Sequence, residues 1–285
     1  MQIWLVVLAM LMPVAGILPA TGPPRQPVQV YELGRPTPVP PALKARAAIV
    51  IDMDTTQVLY QLNPHERLAE ASLTKVVTAL VALDLMREDE MVNVPASINQ
   101  LPWDSTRMGL KVGERLTVRE LLYGLFLNSG NDAAITLSEA VTPRAVFMDR
   151  MNAKASALGM TDSHFVNPIG LDDPAHYSSA ADLARAARAL LARYPDVAPI
   201  ASVERITLPA TAQHHAYALY NLNDLIRTYP GATGLKTGWT GHAGGCLIAT
   251  ATRSGQHLLV VVLASPRVFQ EAATLLDYGF AGATT

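Results

Sequence analysis

The chain reads as an α/β protein of two lobes, with an antiparallel sheet built from both ends of the sequence and an α-rich lobe inserted over about residues 72–200. Three observations predict this. Short apolar runs rich in β-branched residues lie near the two ends, AAIVID and VLYQL within 47–62 and GGCLIATAT and HLLVVVLA within 244–264. The middle carries helical periodicity instead. Polar turn residues separate the runs in pairs, as hairpins require: one hairpin is predicted across Met53 to Gln57 and a second across Arg253-Ser254-Gly255-Gln256.

The helices follow in order. Residues 72–86, SLTKVVTALVALDLM, are apolar nearly all round apart from the first turn and Asp84, which describes a helix buried in a sizeable core. TVRELLYGLFL (117–127) and DAAITLSEAV (132–141) are joined by a tight connection that Gly130 is expected to permit, with Asn131 as a candidate N-cap. Further helices are predicted over 143–157, ending near Gly159, and over 180–193, ending near Pro195. Ser179-Ala180-Ala181-Asp182 ahead of the last resembles a capping box.

Three short motifs lie on this frame: Ser72-Leu73-Thr74-Lys75, Ser129-Gly130-Asn131 and Lys236-Thr237-Gly238. An S-x-x-K or S-x-N match arises by chance about once in a chain of this length, so the weight rests on the ordered triple. Ser97-Ile98-Asn99 is a second S-x-N match, set aside because it follows a proline in a polar connection. Lys75 is one turn beyond Ser72 at the start of the buried helix, so the amine reaches the hydroxyl, and the helix N-terminus favours the charge that develops when a serine attacks a carbonyl. Capping alone would be the bland reading of the first two motifs: Ser72 as the N-cap of its helix with Lys75 solvated in the first turn, and Asn131 as N-cap with Asp132 in the first turn. Lys236-Thr237-Gly238 sits on a strand bordering the C-terminal hairpin, where it points a cation and a hydroxyl at the site; Gly238 is expected to leave room for a substrate backbone.

The chain resembles the S11 family of D-alanyl-D-alanine peptidases, the low-molecular-mass penicillin-binding proteins. The likeness spans roughly 45–280 and includes MGLKVGERLTVRELLYGLFLNSGNDAA (108–134), HFVNPIGLDD (164–173), HYSSAADLA (176–184) and GATGLKTGWT (231–240). It implies a DD-peptidase/β-lactamase-like fold and a D-Ala-D-Ala carboxypeptidase acting on peptidoglycan stem peptides, with β-lactam antibiotics as covalent inhibitors. Carried over by motif, Ser72 is the nucleophile, Lys75 its general base and Ser129 the proton relay to the leaving amine. Asn131 orients Lys75 or the substrate amide, Lys236 and Thr237 hold the terminal carboxylate, and the backbone N–H groups of Ser72 and Trp239 form the oxyanion hole beside Gly238. The second cation, Lys236, would help keep Lys75 neutral. The family often adds an arginine after the last core strand; here the arginine in that stretch is Arg267, to which no role is assigned.

A DD-endopeptidase that cuts cross-links is the alternative. A serine β-lactamase would need an E-x-x-L-N stretch between the second and third motifs, and 132–235 contains none. A non-catalytic β-lactam sensor or scaffold is the remaining class. Residues 3–18 are apolar but shorter than the ~20 residues of a spanning helix, and Pro13 and Gly16 interrupt them. Residues 1–20 are therefore expected to be a signal peptide, with an uncleaved membrane anchor as the alternative, 21–44 a proline-rich linker and 45–285 the catalytic domain, outside the cytoplasmic membrane. With a net charge of −2, a pI near 6.4 and no basic cluster interleaved with aromatics, the composition offers nothing to nucleic acid. The single cysteine, Cys246, is expected as a packed thiol, and the seven histidines are scattered, so neither metal nor cofactor is expected.

Overall fold

The computed structural model describes residues 39–282. The expected signal peptide and most of the expected linker lie outside the described residues. The elements are β1 (Ala47–Asp52), β2 (Val58–Leu62), α1 (Thr74–Leu85), β3 (Met91–Asn93), β4 (Arg115–Thr117), α2 (Val118–Phe126), α3 (Asn131–Glu139), α4 (Arg144–Ala157), α5 (Ala180–Arg193), α6 (Val197–Ser202), β5 (Arg205–Leu208), β6 (Tyr217–Tyr220), α7 (Leu225–Thr228), β7 (Ala232–Thr240), β8 (Gly244–Arg253), β9 (Gln256–Ser265) and α8 (Val268–Gly282).

Five strands form one antiparallel sheet in the order β2-β1-β9-β8-β7, so the two ends of the chain meet at the β1–β9 pairing, where Ala47 faces Leu263 and Asp52 faces Leu258. The uninterrupted apolar runs follow from burial on both faces. On β9, Leu258, Val260 and Val262 pack with Ala272, Leu275 and Leu276 of α8, while Leu259, Val261 and Leu263 join the core shared with α1 and α5. The β8–β9 turn places Ser254 at φ 50° and Gly255 at φ 81°, the left-handed pair that a two-residue hairpin loop matches to the twist of its strands.

The helices α1 to α7 lie between β2 and β7 in the chain, accompanied by the short pairs β3–β4 and β5–β6. Nothing described is a helix long and apolar enough to cross a membrane. The expected 72–86 helix is a 3-10 turn, Ala71–Leu73, leading directly into α1, whose residues from Thr74 to Leu83 are all buried. The predicted helices 143–157 and 180–193 are α4 and α5, the former stopped by Gly159 at φ 68°. Capping departs from expectation. Ser179 accepts from Asp182 N at 3.2 Å, but the Asp182 carboxylate turns away to Asp162 N and Ser163 Oγ, so only half a box forms. The reciprocal box is at Thr117 and Glu120, at the start of α2.

Leu259→Ala empties a fully buried position and is expected to cost about 2–5 kcal/mol of unfolding free energy in urea titration. Val39→Ala, at a position 86% exposed, is expected to stay within about 0.5 kcal/mol of the parent.

Candidate active site

The three motifs converge on one cleft of about 550 Å³, lined by Ser72, Ser129, Asn131, Thr237, Gly238 and Trp239. Ser72 sits mid-way in the 3-10 turn, and the preceding Ala71 is forced to φ 51°. Neither Glu70, before that turn, nor Leu73, before α1, makes a side-chain cap, and Ser72 is not the N-cap of either element. Its hydroxyl meets Lys75 Nζ at 2.7 Å instead. Lys75 Nζ also donates to the Ile169 carbonyl at 2.8 Å. That backbone acceptor lay outside any side-chain motif; the Asn167-Pro168-Ile169-Gly170 turn was its only trace. The turn is organised by Asn167, whose Oδ1 accepts from Ile169, Gly170 and Leu171 N–H.

Ser129 and Asn131 occupy the α2–α3 connection. The left-handed residue there is Ser129, at φ 56°, and Gly130 is required for a different reason: a Cβ on it would lie 2.8 Å from Asp132 Oδ1 and 3.1 Å from Met108 N. Gly130, not Asn131, is the N-cap of α3. Asn131 is thereby the first helical residue, 5% exposed, and its Oδ1 is buried without a hydrogen-bond partner. Asp132, expected only as a first-turn acid, ties the start of α3 to the segment that follows Thr106. Its carboxylate accepts from the N–H groups of Met108 (2.9 Å), Gly109 (2.9 Å) and Leu110 (3.0 Å).

On β7, an edge strand, Lys236 points inward and is fully buried, while Trp239 is 73% exposed at the rim. Lys236 Nζ donates to Thr237 O at 2.8 Å. Gly238 lines the cleft and also lets the chain approach itself: a Cβ there would lie 3.0 Å from Glu70 O and 3.1 Å from Ser72 N, in the turn that carries Ser72. Ser97 lies away from the cleft, donating to Glu139 at 2.6 Å. Arg267 lines a neighbouring depression with His242, and its successors Val268 and Phe269 are the residues of that stretch that line the cleft. Cys246 is 1% exposed in β8, and burial pushes its thiol up to about 12.

Both lysines are buried, and neither forms a salt bridge among the described residues. Burial, then repulsion from Lys236, draws Lys75 well below its ordinary value, opposed by Asp132. Burial brings Lys236 down to about 7. A neutral Lys75 can give one N–H to Ile169 O and turn its lone pair to the Ser72 hydroxyl, which is the arrangement of a nucleophile with its base.

The profile of the S11 peptidase family, D-alanyl-D-alanine carboxypeptidase, matches residues 35–267. The chain is 35% identical over 246 residues to the D-alanyl-D-alanine carboxypeptidase DacF of Bacillus subtilis, covering 84% of this chain and 63% of that protein. It is 37% identical over 245 residues to the D-alanyl-D-alanine carboxypeptidase DacB2 of Mycobacterium tuberculosis, covering 83% and 82%. Among solved structures, the S96A mutant of the Streptomyces K15 DD-transpeptidase superposes with a TM-score of 0.79 at 30% identity, covering 85% of this chain and 100% of that one. An evolved putative penicillin-binding protein homologue from M. tuberculosis, Rv2911, also gives 0.79, at 36% identity, covering 87% and 95%.

The lysines give stability a pH dependence of known sign. An unfolded lysine keeps its proton up to about 10.5, whereas native Lys236 loses it near 7 and Lys75 also loses it well below 10.5. Above pH 7 the unfolded chain binds more protons, so unfolding free energy is expected to rise from pH 7 to 9, by at most about 1.4 kcal/mol per pH unit for each lysine. Lys236→Met is expected to flatten that rise in urea titrations at stepped pH.

Proposed function

Because the chain belongs to the S11 family of D-alanyl-D-alanine carboxypeptidases, we propose that it hydrolyses the terminal D-alanine of peptidoglycan stem peptides through an acyl-enzyme on Ser72. The observation that carries this reading is the 2.7 Å contact between Ser72 Oγ and a fully buried Lys75 whose proton affinity is lowered. Lys75 takes the hydroxyl proton as Oγ attacks the penultimate D-alanine carbonyl. The C–N bond breaks, Ser129 passes a proton to the departing amine, and D-alanine leaves. Water then attacks the ester, Lys75 again serving as base, and the hydroxyl of Ser72 is restored.

The remaining motif residues fit supporting roles. The N–H groups of Ser72 and Trp239 would receive the oxyanion, and Asn131 would hydrogen-bond the substrate amide through the Oδ1 that has no partner in the free protein. Thr237 at the cleft and Lys236 behind it would bind the terminal carboxylate, whose negative charge favours the protonated form of Lys236. No arginine is among the described residues that line the cleft, so the cation of this clamp would be Lys236, buried behind the lining. Among the described residues no glutamate lines it either, which supports slow hydrolysis of a penicilloyl ester over β-lactamase turnover. A peptidoglycan substrate places the enzyme outside the cytoplasmic membrane, and β-lactams would acylate Ser72 as mimics of the peptide.

Intact-protein mass after mixing with benzylpenicillin is expected to show a persistent one-to-one adduct, lost in Ser72→Ala and retained in Ser97→Ala. D-alanine release from a diacetyl-Lys-D-Ala-D-Ala tripeptide is expected to fall by 10²-fold or more in Lys75→Met. An adduct on Ser72→Ala would refute the assignment. Adduct formation with no D-alanine release, but cleavage of cross-linked muropeptides, would replace the carboxypeptidase with the endopeptidase.

A further inference from the structure

Behind the nucleophile turn lies a buried polar group that none of the three motifs contains. Glu70 is 0% exposed, Thr74 0% and His176 4%. His176 Nε2 is 2.8 Å from Thr74 Oγ1 and 2.9 Å from Glu70 Oε1, and Thr74 Oγ1 is 2.8 Å from the same carboxylate oxygen. Val166 N–H donates to His176 Nδ1 at 3.1 Å, so Nδ1 is the acceptor and the ring proton belongs on Nε2, directed at Thr74 and Glu70. The other carboxylate oxygen, Glu70 Oε2, is buried with no hydrogen-bond partner. A carboxylate kept in the interior with one oxygen unsatisfied costs stability, so folding alone does not account for it.

The geometry points to Glu70 and His176 as a positioning pair for the nucleophile, acting through Thr74; this rests on the reading of Ser72 and Lys75 given above. Thr74 is the residue between the last residue of the 3-10 turn and Lys75, and its hydroxyl is also 2.9 Å from Ala71 O, the carbonyl of the residue held at φ 51°. A non-glycine residue in that region persists only where its surroundings hold it. Two close approaches confine the turn from outside: a Cβ on Gly170 would fall 1.9 Å from Ala71 O, and one on Gly238 would fall 3.0 Å from Glu70 O. From inside, the Glu70–Thr74–His176 cluster grips it. Through Val166, the same histidine fastens the segment that carries the Ile169 carbonyl. One buried cluster therefore fixes both the turn that aims Ser72 and the acceptor that aims Lys75.

The test compares acylation by benzylpenicillin in the parent chain, His176→Gln, His176→Asn and Thr74→Val, separating the limiting acylation rate from the dissociation constant of the non-covalent complex. Glutamine can present its amide nitrogen near the place of Nε2, whereas asparagine reaches only the place of Nδ1. His176→Asn and Thr74→Val are expected to acylate 10- to 100-fold more slowly with the dissociation constant changed less than threefold, and His176→Gln to recover most of the rate. Folding is checked by circular dichroism at a temperature where every variant is native; if His176→Asn does not fold, the nearly isosteric Thr74→Val decides. Acylation of folded His176→Asn or Thr74→Val within twofold of the parent would overturn the proposal and leave the cluster a packing contact. A parent chain that forms no adduct would instead overturn the Ser72 reading, and this proposal with it.

Discussion

Two lysine side chains are held out of water with no carboxylate paired to either, and much of the architecture is the consequence of that constraint. A buried ammonium without a partner costs several kcal/mol, and the cheapest escape is to lose the proton. An amphipathic surface helix would leave Lys75 solvated, protonated and useless as a base. The unbroken burial of α1 from Thr74 to Leu83, on all sides, is what keeps water from its first turn. Asp132 shows how finely the charge is set. It lies close enough to oppose the loss of the Lys75 proton, yet its oxygens are already occupied by the N–H groups of Met108, Gly109, Leu110 and Ala133. Committed to the backbone, it holds the 108–110 segment against α3 without pinning Lys75 in its charged form.

The glycines of the site answer to crowding by the chain itself. Gly238 and Gly170 both approach the turn that carries Ser72, and Gly130 admits the Asp132–Met108 contact. In each case the side chain that is missing would meet backbone atoms rather than open cleft. This explains why a short motif can end in glycine with no reference to ligand size. The strand bearing Lys236 has to come within van der Waals reach of the turn bearing Ser72, and any Cβ at 238 would push the two apart. Motif spacing thus records a packing requirement as well as a chemical one.

What could be read from the sequence, and what could not, divides along physical lines. The sheet was legible because both of its faces are buried, which writes runs such as HLLVVVLA directly into the chain. The α1 helix and the grouping of Ser72 with Lys75 were legible because they depend on local periodicity. The Ile169 carbonyl was not, since every residue has a carbonyl and only tertiary packing selects one. His176 was one of seven scattered histidines, and nothing local ties it to Glu70 or to Thr74, which is 102 residues away in sequence. Capping misled for a related reason: Thr117 with Glu120 and Ser179 with Asp182 share one pattern, but Asp182 is drawn away by Asp162 N and Ser163 of a distant loop. Local signals state what a residue can do, and long-range competitors decide what it does.

That competition gives the loop from Val166 to His176 its weight, although it contributes none of the motif side chains. Asn167 binds three successive N–H groups of the turn, His176 anchors its start, and Asp172 accepts from Thr240 Oγ1 at 2.7 Å, tying the loop to the end of β7 beyond Trp239. Ser72 Oγ and Lys75 Nζ are already in contact in the unliganded chain, and the walls on either side of them are joined to each other. A site braced in this way has no large reorganisation left to make when a carbonyl arrives. On the proposed acyl-enzyme route, its contribution to rate would come from orientation and fixed dipoles set during folding, with closure playing a minor part. The cost of that arrangement is carried by the fold, in a strained Ala71, an orphaned Glu70 oxygen and two desolvated lysines, and the two-sided hydrophobic core is large enough to bear it.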